Sequence, residues 1–412
     1  MKYGCIGEHL GHSFSREIHS RLSDYKYTLC EVAREKLDDF MTKRDFTAIN
    51  VTIPYKEMVM PHLHSIDDGA KMIGAVNTVV NRGGLLYGYN TDFYGMSELI
   101  KHAGVEICGK KVAILGTGGT AKTARAVLTA LGAGEIVTVS RTARDGIVDY
   151  ATLHAEHTDT EVIVNTTPVG MYRDFDGVPV DISKFPRLSG VIDAVYNPLR
   201  TRLVSDAMAR GIAAEGGLYM LVAQAVRASE IFLDTAYPDG TTERVFREMM
   251  AEKENIVLIG MPACGKTTVS RILAKNSWRE VIDTDERIVA EVGEDIPTIF
   301  ATEGEAKFRE YEADVIKRVS QDTGKIIATG GGAILNPENV ARLKRNGKIY
   351  FIDRPLESLM PTEDRPLSST REAIERRYAE RYELYKKSAD TVIDADCTAE
   401  RVAEKIEGDF FG

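Results

Sequence analysis

Two glycine-rich stretches of different design carry the chemistry that is easiest to read. "GMPACGKTT", Gly260 to Thr268, fits the template G-x-x-x-x-G-K-[ST] through Gly260, Gly265, Lys266 and Thr267. In such a loop backbone N–H groups wrap a β-phosphate, the lysine brings a mobile positive charge toward the β and γ groups, and the hydroxyl is offered to Mg2+. Pro262, Ala263 and Cys264 fill the loop, Cys264 as a small filler, and Thr268 follows it. The pattern predicts a nucleoside triphosphate such as ATP. "GTGGTA", Gly116 to Ala121, fills G-x-G-x-x-A instead. There the first glycine permits a tight turn, the second lets the backbone approach a pyrophosphate, and the small third residue lets helix and strand pack closely. Gly116, Thr117, Gly118, Gly119 and Thr120 are therefore candidates to hold a dinucleotide. The next strand ends in "SRTAR", with Ser140, Arg141, Thr142 and Arg144 where an NAD site usually carries Asp or Glu. A cation there suits a 2′-phosphate and points to NADP. A charge-assisted contact of roughly 1.5 to 3 kcal/mol favours NADP over NAD about ten- to hundredfold.

The elements around the loops support both readings. "KVAILGTGGTAKTARAVLTALG" reads as a buried strand, a glycine turn, a helix with apolar residues three and four apart, and a terminal glycine. "EIVTVSR", "EVIVNTT" and "GVIDAVY" follow as strands separated by helical stretches, the pattern of a parallel, doubly wound sheet. Before them, from Met1 to about Ala103, strands such as "YTLCEV" and "AINVTI" alternate with polar helical segments and form a small α/β unit. "EGGLYMLVAQAVRASEIFL", Glu215 to Leu233, is an amphipathic helix, and after a short polar piece at Ala251–Glu254 the chain restarts with the strand "NIVLIG". The predicted fold is α/β throughout: a small N-terminal α/β unit with a Rossmann-type NADP lobe, then a P-loop domain with a parallel sheet.

At 412 residues the chain exceeds what one hydrophobic core organises. With 43% hydrophobic and 28% charged residues it has the composition of a globular protein, and its net charge of -10 argues against a nucleic-acid footprint. Five cysteines, Cys5, Cys30, Cys108, Cys264 and Cys397, lie far apart without a Cys-x-x-Cys pair, which fits a reducing cytoplasm. No run of 18 apolar residues is present to span a membrane. The expected partners are small molecules, and an oligomer is possible.

The N-terminal half resembles the shikimate dehydrogenase family along its length, from "HSFS" through "NVTIPYK", "GAVNTV", "GYNTD", "NTTPVGM" and "DAVYNP" to "GGLYMLVAQA". That family reduces 3-dehydroshikimate with NADPH, using a substrate lobe made from both ends of the segment and a nucleotide lobe in its middle. The resemblance implies a dehydrogenase over 1–252, with a substrate lobe at 1–103 and 215–252 and an NADP lobe at 104–214. It implies Lys56 and Asp92 as the catalytic pair, which suits a ketone reduction because the developing alkoxide needs a positioned proton donor. Ser13, Ser15, Thr52 and Asn77 match substrate contacts, as do Asn90, Tyr196 and Gln224; Gly217 matches a cofactor contact. Arg16 and Ser20 depart from the family's usual Pro and Asn and flank the serines without removing them.

The segment after the second loop holds "VIDTDERI", "FREYE", "ATGGGA", "EDRPL" and "ERYELYKKSAD". Asp283 and Asp285 stand at a strand end, where carboxylates approach Mg2+ and an acceptor hydroxyl. This set resembles the shikimate kinase family over 253–412. The resemblance implies Asp285, Arg309, Gly331, Gly332 and Arg381 as the acceptor site, Lys266, Asp285 and Arg365 as catalytic, and Thr267 with Asp283 at the metal. Two arginines suit one carboxylate because the planar fork pairs with it bidentately. The lid "PLESLMPTEDRPL" is short, an arginine that often packs on adenine is replaced near Pro361, and Ala263 stands where many relatives have glycine. Together the resemblances imply a bifunctional enzyme that makes shikimate and then shikimate 3-phosphate. A quinate or shikimate dehydrogenase joined to a kinase for another hydroxy acid is the alternative within enzymes. A metabolite sensor that has lost its chemistry would lack catalytic groups, yet Lys56, Asp92, Lys266, Thr267, Asp285 and Arg365 are all present.

Overall fold

The computed structural model describes residues 1–10, 14–172, 174–360 and 370–412. They form two compact units, Met1–Met249 and Met250–Gly412. The division falls inside the helix Thr241–Lys253, so the polar piece read as a connection at 251–254 is helical as far as Lys253.

Unit one contains two six-stranded sheets. The first takes β1 (Tyr3–Gly7), β2 (Tyr27–Glu31), β3 (Ala48–Val51), β4 (Ser65–Ile66), β5 (Thr78–Arg82) and β6 (Leu85–Tyr89) in the order β2-β1-β3-β5-β6-β4. It is parallel across β2-β1-β3 and antiparallel at β3/β5 and β5/β6. The second takes β7 (Lys111–Leu115), β8 (Glu135–Ser140), β9 (Val148–Asp149), β10 (Val162–Asn165), β11 (Gly190–Asp193) and β12 (Ala213–Glu215) in the order β12-β11-β10-β7-β8-β9. Every pairing in it is parallel. The apolar run of β7 follows from burial on both faces. Val112 and Ile114 pack with Ala124, Val127 and Leu128 on one side, while Ala113 and Leu115 pack with Leu153, Leu203 and Ala207 on the other.

The helix read from Glu215 begins at Leu218 and runs to Leu233, because Glu215 still belongs to β12. It carries the chain back to the first sheet, where Phe232 packs with Cys5, Tyr27, Ala48 and Val80. The helix Asp92–His102 lies against it at Gly95, where an added Cβ would stand 2.7 Å from the Met220 carbonyl oxygen and 3.0 Å from Gln224 Cβ.

Unit two has one parallel sheet of β13 (Asn255–Ile259), β14 (Val281–Asp283), β15 (Ile326–Ala328), β16 (Gly347–Asp353) and β17 (Thr391–Asp394), ordered β14-β15-β13-β16-β17. "NIVLI" is buried at all five positions of the central strand. Helices including Lys266–Ser277, Gly304–Val319 and Ala399–Phe411 cover the sheet, contributing Val269, Leu273, Val315, Ile316, Val402 and Ile406 to the core. Trp278, the chain's one tryptophan, ends the helix Lys266–Ser277 at φ +59 and is 94% exposed. No described helix is long and apolar enough to cross a membrane.

The contact at Gly95 gives a test of how the helices position the site. Gly95→Ala should destabilise unit one by about 1–3 kcal/mol, the range for overpacking, because the nearest obstacle is backbone. Denaturant titration checks this, and an unchanged midpoint would show that the two helices separate freely.

Candidate active sites

The turn after β3 sets the first site. Tyr55 is fully buried and donates to the Val32 carbonyl, while the Lys56 carbonyl accepts from Val76 N at 2.8 Å. With its backbone fixed at the rear, Lys56 turns Nζ to Asp92 Oδ2 at 2.6 Å. Asp92 opens the helix Asp92–His102, where the helix dipole favours a carboxylate. Its backbone N–H donates to Asn90 Oδ1 at 3.0 Å, and Asn90 Nδ2 donates to the Ala75 carbonyl at 2.8 Å. Asn77 Oδ1 accepts from Thr91 N at 2.8 Å, and its amide donates to Thr91 Oγ1 at 3.0 Å.

These groups meet at a cavity of about 160 Å³. Ser15, Thr52, Lys56, Asn77, Asp92, Tyr196 and Gln224 line it, as the sequence reading places them together. Asn90 is not among the lining residues; its hydrogen bonds fix the backbone that presents Asp92. Thr120 and Gly217, read as cofactor contacts, line this cavity as well. Cys5, Asn50, Val51, Ala194, Met220 and Leu221 complete the wall and were not read as site residues from the sequence. Ser13 lies outside the described residues. A lysine ammonium held by a carboxylate at a polar cavity is equipped to hand a proton to a developing alkoxide.

A larger cleft of about 680 Å³ follows the carboxyl ends of β7, β8 and β10. Gly116, Thr117, Gly118, Ser140, Arg141, Thr142 and Arg144 line it. Gly116 has φ +112, and an added Cβ would stand 2.6 Å from Thr166 Oγ1. At Gly118 and at Gly119, where the helix Gly119–Ala130 begins, an added Cβ would meet nothing within 4 Å. That open helix N-terminus fits a pyrophosphate. Arg144 Nη2 donates to Thr117 Oγ1 at 3.4 Å, so a guanidinium borders the glycine turn. Tyr150 and the run Thr166, Thr167, Pro168, Val169 also line the cleft. The signal for that run was in "NTTPVGM", whose residues were quoted without a site role.

Asp193, the last residue of β11, braces the same edge of the sheet. It is fully buried and accepts from Asn165 Nδ2 at 2.9 Å, Val195 N at 3.0 Å and Thr201 Oγ1 at 2.7 Å. Burial pushes its carboxyl up to about 6 against these donors.

In unit two Lys266 is buried and donates to the Gly260 carbonyl at 2.9 Å and the Met261 carbonyl at 3.0 Å. Ala263 stands in the same loop at φ +63. Thr267 Oγ1 lies 3.3 Å from Asp283 Oδ2, while Asp283 Oδ1 caps the next helix by accepting from Asp285 N at 3.0 Å. A hydroxyl beside a carboxylate supplies the hard oxygens that suit Mg2+, which takes its remaining ligands from water and phosphate.

The residues read from the sequence as acceptor contacts gather around "GGG". An added Cβ at Gly330 would meet Asp285 Oδ1 at 2.5 Å and Glu312 Oε1 at 2.9 Å, and one at Gly332 would strike the Arg309 guanidinium. Arg309 donates to Glu312 Oε2 and to Glu305 Oε1, both at 2.9 Å. Arg381 Nη1 at 3.0 Å and Tyr385 Oη at 2.5 Å donate to the Gly331 carbonyl. Asp285, Arg309, Gly331, Gly332 and Arg381 are thus brought together, while Arg365 and the lid around Pro361 lie outside the described residues. Glu312 is the addition: it is 1% exposed, and burial pushes its carboxyl up to about 7 against the pull of Arg309. Its place three residues after Arg309, on one helix face, was the available signal.

Known proteins match both units. The family model for the shikimate dehydrogenase substrate binding domain matches residues 5–79, and that for shikimate kinase matches 262–409. The NADP(+) shikimate dehydrogenase of Clostridium perfringens (strain SM101) is 36% identical over 265 residues, covering 60% of this chain and 97% of that protein. Among solved structures, a chorismate mutase/shikimate 5-dehydrogenase fusion protein from Clostridium acetobutylicum superposes with a TM-score of 0.57 at 35% identity, covering 60% of this chain and 96% of that one. The shikimate 5-dehydrogenase of Thermus thermophilus, solved with NADP(H) and shikimate, gives 0.54 at 28% identity, covering 60% and 99%. The 36% identity over nearly the whole of a relative, and the second family match beginning two residues into the phosphate loop, carry the assignment. The chain belongs to the shikimate dehydrogenase family and is fused to a shikimate kinase domain.

Proposed function

We propose that residues 1–252 reduce 3-dehydroshikimate to shikimate with NADPH and that residues 253–412 phosphorylate shikimate with Mg-ATP. The observation that carries the reading is the Lys56–Asp92 pair at 2.6 Å, facing a cavity in a unit that also holds a dinucleotide cleft. NADPH, when bound, supplies the hydride. Lys56 gives its proton to the developing alkoxide, and Asp92 keeps the ammonium aimed. Ser15, Thr52, Asn77, Tyr196 and Gln224 bind the hydroxy acid, while Arg141 and Arg144 favour the 2′-phosphate of NADP over NAD.

In the second unit ATP and Mg2+ supply the phosphoryl group and its charge neutralisation. Arg309 and Arg381 would hold the acceptor carboxylate, Asp285 would receive the proton of the acceptor hydroxyl, Lys266 would serve the β and γ phosphates, and Thr267 with Asp283 would hold the metal. The oxygen reduced in the first reaction is the one phosphorylated in the second. Such an enzyme works in the cytoplasm, where both cofactors are made.

Incubating the full chain with 3-dehydroshikimate, NADPH and Mg-ATP should oxidise NADPH and yield shikimate 3-phosphate. Lys56→Ala should slow NADPH oxidation by roughly a hundredfold or more, while phosphorylation of added shikimate continues. Absence of phosphorylated product from added shikimate sinks the kinase assignment, and loss of both activities in Lys56→Ala contradicts the division of labour.

Glu312 gives a pH prediction. Its folded value of about 7 lies above the ordinary 4.5, so its contribution to stability is present below 4.5 and lost as the pH rises through 7. Between those limits the wild-type chain should lose stability relative to Glu312→Gln, whose amide does not titrate. Denaturant midpoints of the kinase unit at pH 5 and pH 8 check the sign; a constant difference between the two proteins would remove Glu312 as the titrating group.

A further inference from the structure

The turn that presents Lys56 also presents its neighbour to a different place. Glu57 Oε1 meets Lys122 Nζ at 2.6 Å. Glu57 lies between β3 and β4 of the first sheet, whereas Lys122 stands in the helix Gly119–Ala130 between β7 and β8 of the second. The ion pair therefore reaches from the part of unit one that holds the proton donor to the part that holds the dinucleotide loop. The cavity runs beside it: Lys56 lines one wall, and Thr120, two residues before Lys122, lines another. The Glu57 backbone cannot drift independently, because Tyr55 is buried and the Lys56 carbonyl is bonded to Val76 N at 2.8 Å.

The side chains are 59% and 48% exposed, so the pair adds little to folding stability, as is general for surface ion pairs. What it can do is bias one arrangement of the two lobes over another by its own small free energy. We propose that Glu57 and Lys122 are positioning residues for the dehydrogenase reaction, a rim clasp that sets how Lys56 approaches the dinucleotide loop. Hydride and proton come from opposite lobes in this reading, and small misplacements of reacting groups carry large rate costs.

The test uses the full chain with Glu57→Gln, Lys122→Gln, the single reversals Glu57→Lys and Lys122→Glu, and the double reversal. Each single change should lower kcat/KM for reduction by about two- to fivefold, mostly through kcat, because the reacting groups are misplaced while the substrate contacts stay. The double reversal should recover the wild-type value, and raising the salt should erase the wild-type advantage. Shikimate phosphorylation by the same preparations shows that the chains are intact. Singles that match wild type, or a double reversal as impaired as the two singles combined, overturn the proposal. A loss confined to the Lys122 variants also overturns it, since Lys122 would then serve the cofactor phosphates directly. The inference rests on the dehydrogenase reading. If the wild-type chain oxidises no NADPH, that reading fails by itself, and the same loss and recovery is then required in NADPH binding followed by its fluorescence.

Discussion

In a parallel sheet every strand ends at the same edge, so the turns that follow gather there together with the N-termini of the next helices. Both units depend on this constraint. Leu115, Ser140, Asn165 and Asp193 are the last residues of β7, β8, β10 and β11, and Gly116, Arg141, Thr166 and Ala194 follow them directly. Gly260, Thr284 and Thr329 stand in the same relation to β13, β14 and β15. At the cleft beside Gly116 and at the phosphate loop, the register of paired parallel strands brings distant segments to one edge.

The second recurring theme is buried charge, which is tolerated only where partners hold it. Asp193 has three donors, and Lys266 has two carbonyls of its own loop. The price of that loop's shape shows in Ala263, whose left-handed backbone costs an L-residue roughly 1 kcal/mol that glycine would not incur. No charge is involved where the helices Asp92–His102 and Leu218–Leu233 meet at Gly95, a contact so close that a side chain there would crowd Gln224 of the cavity wall.

The parts legible in the sequence are those written in contiguous residues. The loops at Gly116 and Gly260, the strands beside them and the pairing of Lys56 with Asp92 follow from short motifs and a family resemblance. Contacts made by strand adjacency were not legible, because Thr166 to Val169 reach the cleft beside Gly116 through the β10/β7 pairing. Side-chain duties were also ambiguous: Asn90 sits in the motif with Asp92, yet it braces the backbone while Asn77 and Gln224 face the cavity. Glu312 lay within a quoted motif, but its elevated pKa depends on burial that one segment cannot reveal.

Trp278 has a practical consequence. It is the chain's one tryptophan and stands almost wholly in solvent. Its emission in the native protein is therefore already that of a hydrated indole, and unfolding has little spectral shift left to produce. The 17 tyrosines include Tyr55, Tyr350 and Tyr385, which are completely buried. The loss of order in this chain is written in tyrosine absorbance, and an experimenter watching tryptophan would see a protein that hardly changes.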